Sequence, residues 1–396
     1  MRSRSKAIIV VSLIGALSLG LWAGWRARSP RDPLERQSPS RLQPVTALTG
    51  DATGFARAEG PRPFDFPADH GPHPDFQTEW WYYTGNLATD DGRRFGYQLT
   101  FFRRALNPPP KRQERASDWA TEQIYMAHFA LTDVEMNQHH GFERFSRGAA
   151  GLAGASSPPY HVWLEDWRVE QQGDDPGVVR MEAAQEDIAI DLQLVDRKGP
   201  ILQGDRGYSQ KGPDPGNASY YYSQTRLETS GTVQIADKAF QVDGWSWMDH
   251  EYSTSALGPN QVGWDWFALQ LDDGTELMVF QIRTTDGDVD PLSSGTLVEA
   301  DGDTRHLELE DFTITTEDTW RSPHSGATYP SRWTVDIPSA NLTLAIQPLI
   351  ADQEMDVSYA YWEGAVSVEG QRAGEPITGR GYIEMTGYAG SMQEQF

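Results

Sequence analysis

The chain has 396 residues, of which 38% are apolar, and its 14 Trp, 15 Tyr and 15 Phe supply enough core material for two domains and exclude a disordered polymer. The formal charge is −24 at pH 7, and because the first 41 residues hold eight Lys/Arg against two Asp/Glu, the remainder carries 25 basic and 55 acidic side chains. Such a body repels phosphate backbones and anionic surfaces, which disfavours nucleic-acid binding, and the absence of Cys excludes disulfides, thiolate metal sites and Cys nucleophiles.

Arg2, Arg4 and Lys6 lead into an apolar stretch from Ala7 to Trp25, which Arg26, Arg28 and Arg31 close. Its length suits a helix that just crosses a bilayer, so residues 1–28 read as an export signal, either cleaved or kept as an anchor. The body is then expected outside the inner membrane, periplasmic or extracellular, touching membrane only through that helix. Residues 29–60, rich in Pro, Ser, Arg and Gly without an apolar period, read as a flexible linker.

Downstream, segments such as Arg93 to Phe102, Gly274 to Arg283 and Arg332 to Pro338 alternate apolar and polar residues between turn signals, with Asp91-Gly92 and Asp273-Gly274 as hairpin turns. No long amphipathic helix follows residue 60, and the pattern predicts an all-β, antiparallel protein. The two halves repeat. Trp80-Trp81-Tyr82-Tyr83 before Asp91-Gly92 matches Trp264-Asp265-Trp266-Phe267 before Asp273-Gly274. His161 to Trp167 (HVWLEDW) matches His306 to Phe312 (HLELEDF), and GTVQI with VDGWSWMD (Gly231 to Asp249) matches GAVSV with TGRGYIEMT (Gly364 to Thr386). Kept order predicts two tandem units, residues 61–255 and 256–396. Each is the size of a small antiparallel barrel able to enclose an apolar ligand, with a β-sandwich as the alternative.

The runs HPDFQTEWWYYTGNL (from His73), WSWMDHEYSTS, GWDWFALQLDDGTELM, YWEGAVSV and GRGYIEMTGY resemble the AttH/CrtC-like family, which groups predicted secreted hydrolases with carotenoid 1,2-hydratases. The resemblance covers about residues 60 to 390. It implies two lipocalin-like (calycin-type) β-barrels in tandem and, in the hydratases, addition of water across a terminal C=C bond without an organic cofactor. Other relatives resemble accessory components of ABC transporters.

Asp249, His250 and Glu251, with Glu79, are the candidate catalytic residues, because carboxyl groups among indole rings lose hydration and stay proton donors near neutral pH. Trp80, Trp81, Tyr83, Trp245, Trp247, Trp264, Asp265 and Trp266 are the expected ligand wall, and His73 is a further ionisable candidate. Hydration of an alkene suits Asp249 as acid, Trp247 and Trp264 facing the carbocation, and His250 or Glu251 orienting water. On a strand, however, Trp247, Asp249 and Glu251 share one face and His250 takes the other. No Gly-x-Ser-x-Gly elbow supports a serine hydrolase, and neither His70 with His73, His139-His140 nor Asp249-His250-Glu251 has helical metal-ligand spacing, so no metal or cofactor is expected. The expected partner is an apolar isoprenoid or lipid. Catalysis on it, carriage of it beside an ABC exporter, and barrels filled by their own side chains remain as three readings.

Overall fold

The computed structural model describes residues 52–112, 117–254 and 257–392. The apolar segment 7–25 and the expected unit boundary at 255/256 lie outside the described residues. Among these, no helix is long and apolar enough to cross a membrane. The expected linker ends early: Phe55 and Ala58 are already buried, and the Ala56 N–H donates to the Asp75 carbonyl at 2.9 Å.

The first sheet comprises, in chain order, β1 (Thr78–Ala88), β2 (Arg94–Ala105), β3 (Gln123–Asp133), β4 (Gln138–Arg147), β5 (Ala153–Ser156), β6 (His161–Leu164), β7 (Trp167–Gln171), β8 (Val178–Gln185), β9 (Ile188–Asp196), β10 (Pro200–Leu202), β11 (Tyr208–Gln210), β12 (Ala218–Ile235) and β13 (Lys238–Ser253). The second comprises β14 (Gln261–Leu271), β15 (Glu276–Thr284), β16 (Ser294–Val298), β17 (Thr304–Glu308), β18 (Thr313–Arg321), β19 (Thr328–Ile337), β20 (Leu342–Pro348), β21 (Glu354–Asp356), β22 (Ala360–Arg372) and β23 (Glu375–Met385). Their orders are β4-β3-β2-β1-β13-β12-β9-β8-β7-β6-β5 and β17-β16-β15-β14-β23-β22-β20-β19-β18. Both obey one rule: a hairpin opens the unit, a hairpin ends it, and the first strand pairs antiparallel with the last, β1 with β13 and β14 with β23. The repeat in the sequence is this rule written twice.

The first sheet curls until β6 touches β2, β3 and β4, making a near-barrel, whereas the second is a half-barrel. Their concave sides are filled: Trp81, Tyr97, Phe129, Trp167 and Leu192 pack inside the first, and Phe267, Leu297, Trp333, Leu344 and Trp362 inside the second. Side chains thus occupy the interior of both sheets, and room for a ligand has to be sought at the junction.

Strand β9 alternates buried and wet residues, as a sheet with one solvated face must, but β1 and β14 are buried almost throughout. In β1, Trp81, Tyr83 and Leu87 point into the barrel while Trp80 and Tyr82 meet the second sheet. Aromatic runs without alternation mark the seam between sheets. There the Asn86 side-chain amide donates to the Gly381 carbonyl at 2.8 Å, and a Cβ on Gly96 would sit 2.5 Å from that of Ala365. Gly96→Val is therefore expected to cost about 1–3 kcal/mol by forcing the sheets apart, measured as a lower urea midpoint.

Candidate active site

At one end of the seam, Trp80, Tyr82, Tyr221, Asp249, Glu251, Trp264, Trp266, Phe280 and Glu384 are among the walls of a cavity of about 90 Å³. Strand geometry explains the gathering. In β13, Asp249 and Glu251 project to the seam side and lie opposite Tyr82 and Trp80 of β1, while Glu384 of β23 lies opposite Trp266 of β14. Asp249 is clamped: Tyr221 Oη and Trp247 Nε1 each donate to it at 2.7 Å, the Ser223 hydroxyl donates too, and Trp266 Nε1 donates to Tyr221 Oη at 3.1 Å. Glu384 accepts the Trp264 Nε1–H at 2.8 Å on one oxygen, leaving the other without a hydrogen bond among the described residues. Glu251 is paired with the Lys211 ammonium at 3.2 Å and accepts the Ser219 hydroxyl.

Burial drives the electrostatics. It pushes Asp249 up to about 7 against the pull of its three donors. It pushes Glu384 to about 7 as well, where the charges of Asp249 and Glu251 add to it. Glu363, opposite Glu384 on β22 and holding the Tyr82 hydroxyl at 2.9 Å, is raised well above the carboxylate range by burial and the Glu384 charge. The folded protein thus keeps protons on Asp249 and Glu384 that the unfolded chain has released, so this contribution to stability is full below about pH 4 and is lost as pH rises through about 7. Asp249→Asn removes one such group. Its stability relative to wild type is expected to rise by a few kcal/mol between pH 5 and pH 8, in paired urea titrations.

On the barrel side of the same strands lies a second constellation. Glu79 is fully buried; its Oε2 accepts Arg103 Nε at 2.8 Å, and its Oε1 lies 2.8 Å from both His73 Nδ1 and His250 Nε2. The His73 backbone N–H adds contacts of 3.0 Å to both oxygens. His73 Nε2 continues to Asp69 at 2.9 Å, Asp69 to Arg62 at 2.7 Å, and Arg62 to the Tyr252 hydroxyl. Burial works to raise Glu79, but the Arg103 charge and the bonds from His250 and His73 hold it well below the carboxylate range. Burial works to lower His73, yet Asp69 and Glu79 on either side raise it. The ligand atoms of His73, Glu79 and His250 lie within 4.8 Å of one another, a donor set of metal-binding type. A buried guanidinium 2.8 Å from the carboxylate and an occupied lone pair on each oxygen do not fit a cation. The network instead locks the segment carrying Arg62, Asp69 and His73 across the end of the barrel.

Strand β13 runs on to Ser253, so Asp249 and Glu251 share the cavity while His250 faces the barrel. The expected pairing of Asp249 with His250 as water-orienting base is not assembled, and Glu79, on the barrel side, joins His250 rather than Asp249. Of the expected wall, Trp80, Trp264 and Trp266 line the cavity and Trp247 holds Asp249. Trp81 stacks on His250 at 4.8 Å between ring centres, and Tyr83 Oη meets Tyr160 Oη at 2.8 Å in the barrel core. Trp245 lies under the Arg226 guanidinium at 5.2 Å, and Asp265 turns away to Arg283 at 3.2 Å and Tyr388 at 3.0 Å. Glu384, Tyr82, Tyr221, Phe280 and Lys211 are among the members that sequence reasoning missed. Strand register makes Glu384 the counterpart of Asp249: Asp249 lies opposite Tyr82, and Glu384 lies opposite Trp266, the residue matched to Tyr82 in the second unit.

Two curled antiparallel sheets with buried carboxyls between them define a tandem lipocalin-like protein. The chain belongs to the AttH-like family, whose model matches residues 57–388. It is similar to an AttH protein of Nitrosomonas europaea of known crystal structure, with 36% identity, 84% of this chain and all of the other covered, and a TM-score of 0.74. The fold is shared with kievitone hydratase from Nectria haematococca at 15% identity and a TM-score of 0.63, over 86% of this chain and 97% of that one. The dehydratase asqC of Emericella nidulans is 21% identical over 223 residues, covering 54% of this chain and 62% of the relative's length.

Proposed function

We propose that the protein adds water to, or removes it from, an apolar substrate by carboxyl acid–base chemistry in the seam cavity. The observation that carries this reading is the pair Asp249 and Glu384, both pushed to about 7 in an aromatic enclosure. Near neutrality such a pair offers one proton donor and one carboxylate. Two relatives bear the names of a hydratase and a dehydratase, the two directions of one reaction.

The hydrogen bonds divide the roles. Asp249, fixed by three donors, is the better carboxylate, and Glu384, with one oxygen unbonded, is the better acid, which reverses the expectation that Asp249 protonates the substrate. In the hydration direction the alkene π pair takes the Glu384 proton to form a C–H bond, leaving a tertiary cation that the faces of Trp80, Trp264 and Trp266 stabilise. Water then forms the C–O bond and gives its proton to Asp249, so the pair ends with as many protons as it began. Dehydration is the same path reversed.

A cavity of about 90 Å³ is well below the roughly 300–1,000 Å³ that encloses a whole drug-sized ligand. The reacting end of a long isoprenoid or lipid enters and the rest stays outside. The test is incubation of acyclic isoprenoids ending in a trisubstituted C=C, and of their tertiary alcohols, in H₂¹⁸O. Label in the alcohol, or loss of water from it, is expected with wild type and lost in Glu384→Gln. Binding of these probes without turnover would replace this reading with that of a carrier.

A further inference from the structure

We infer that the opposite end of the seam is a binding site for an oxyanion, a carboxylate or phosphate group held between Arg94 of the first sheet and Arg380 of the second. The two arginines share a cavity of about 440 Å³ whose other walls include Asn86, Ser367 and Glu369. Both side chains are partly buried, and neither guanidinium has a hydrogen bond or ion pair among the described residues. This is unlike arginines elsewhere in the body: Arg103 is bound to Glu79, Arg93 to Asp133, Arg226 to Glu276 and Arg372 to Glu299. In a chain with 57 acidic residues, two half-buried guanidinium groups facing one cavity without a carboxylate on either are an unbalanced charge. Glu369, the acidic wall residue, is exposed and pairs with neither.

The electrostatics agree with the geometry. Burial and the Arg380 charge pull Arg94 below its ordinary value, and burial and the Arg226 charge do the same to Arg380. An anion between the two relieves both penalties, and the planar forks suit the paired oxygens of a carboxylate or phosphate. Asn86 closes the inner wall: its amide nitrogen is spent on the Gly381 carbonyl, and its buried Oδ1, which has no hydrogen bond among the described residues, suits only a ligand that keeps an O–H, such as a monohydrogen phosphate. Four residue steps of β1 separate Tyr82, a wall of the first cavity, from Asn86, a wall of this one, about 13 Å along the strand. The Asn86–Gly381 bond and the Gly96–Ala365 contact close the seam at the inner edge of this site, and the two cavities share no lining residue.

The experiment compares thermal unfolding and calorimetric titration of wild type, Arg94→Gln and Arg380→Gln, with inorganic phosphate, with succinate, and with vesicles of phosphatidylglycerol or phosphatidylcholine, all at one ionic strength. Phosphate or succinate is expected to stabilise wild type saturably, and either substitution to weaken that binding at least tenfold. In anion-free buffer both variants are expected to melt no lower than wild type, since a like-charge contact has been removed; purely structural arginines would lower the melting temperature in every buffer. Binding to phosphatidylglycerol vesicles alone, lost in both variants, identifies the oxyanion as a lipid headgroup, and saturable phosphate or succinate binding identifies a free solute. Equal response of wild type and both variants to every probe overturns the proposal.

Discussion

Glu384→Gln is expected to lower turnover by about 10²- to 10⁴-fold while the apolar probe still binds. Gln is nearly isosteric and its amide oxygen can keep the Trp264 indole bond, so the cavity wall survives and only the transferable proton is lost. Asp249→Asn is expected to cost a similar factor, but it is the less clean substitution. Both Asp249 oxygens accept bonds, and an amide NH₂ would face a donor in either orientation. The wild-type rate of hydration should pass through a maximum near pH 7, falling above it as Glu384 loses the proton it donates and below it as Asp249 gains a proton and can no longer accept one from water. Single-turnover rates of ¹⁸O incorporation across pH 5 to 9, for wild type and both variants, check this. Full activity in Glu384→Gln beside an inactive Asp249→Asn would return the acid role to Asp249.

Much of this architecture could be read from residue patterns, and the failures have a common physical origin. The hairpin turns at Asp91-Gly92 and Asp273-Gly274, the alternation of the outer strands and the repeated blocks are local signals, and they led to the two sheets. The seam is not local. Trp80-Trp81-Tyr82-Tyr83 lacks alternation because one face fills the barrel and the other meets the second sheet, so the run alone could not say which aromatics line a cavity. Trp80 and Trp81 are adjacent in the sequence yet point apart, Trp81 into the barrel core and Trp80 into the seam cavity. Strand alternation did separate Asp249 from His250, yet adjacency in sequence kept both in one hypothetical cast. Glu384 carries no surrounding cluster of charges, and only the pairing of the first with the last strand of each sheet, Tyr82 with Asp249 and Trp266 with Glu384, makes it the counterpart of Asp249. The Glu79 network depends on Arg62, Asp69 and Arg103, which reach it from different segments, and no spacing rule predicts that meeting.

Glu79→Gln is expected to cost about 3–5 kcal/mol of folding stability, with little direct effect on the seam. Arg103 is wholly buried, its Nη1 already lacks a partner, and its Nη2 holds the His73 and Phe76 carbonyls at 3.0 Å, so removing Glu79 strands a cation that cannot reach water. A lower urea midpoint at unchanged m would report the loss. The double variant Glu79→Gln with Arg103→Met should recover most of it, because no unbalanced buried charge is left. The pH dependence carries the opposite sign to that of the seam. Glu79 is held below its unfolded value, so its contribution is present above about pH 4.5 and disappears as pH falls through the folded value. Asp249 and Glu384 weaken the fold as pH climbs toward 7 and Glu79 weakens it as pH drops below 4, so wild-type stability should peak between these limits. Glu79→Gln should reduce the slope of the acid limb, and it also removes one of the two carboxylates that raise His73, whereas Asp249→Asn should reduce the slope of the neutral limb and leave the acid limb unchanged.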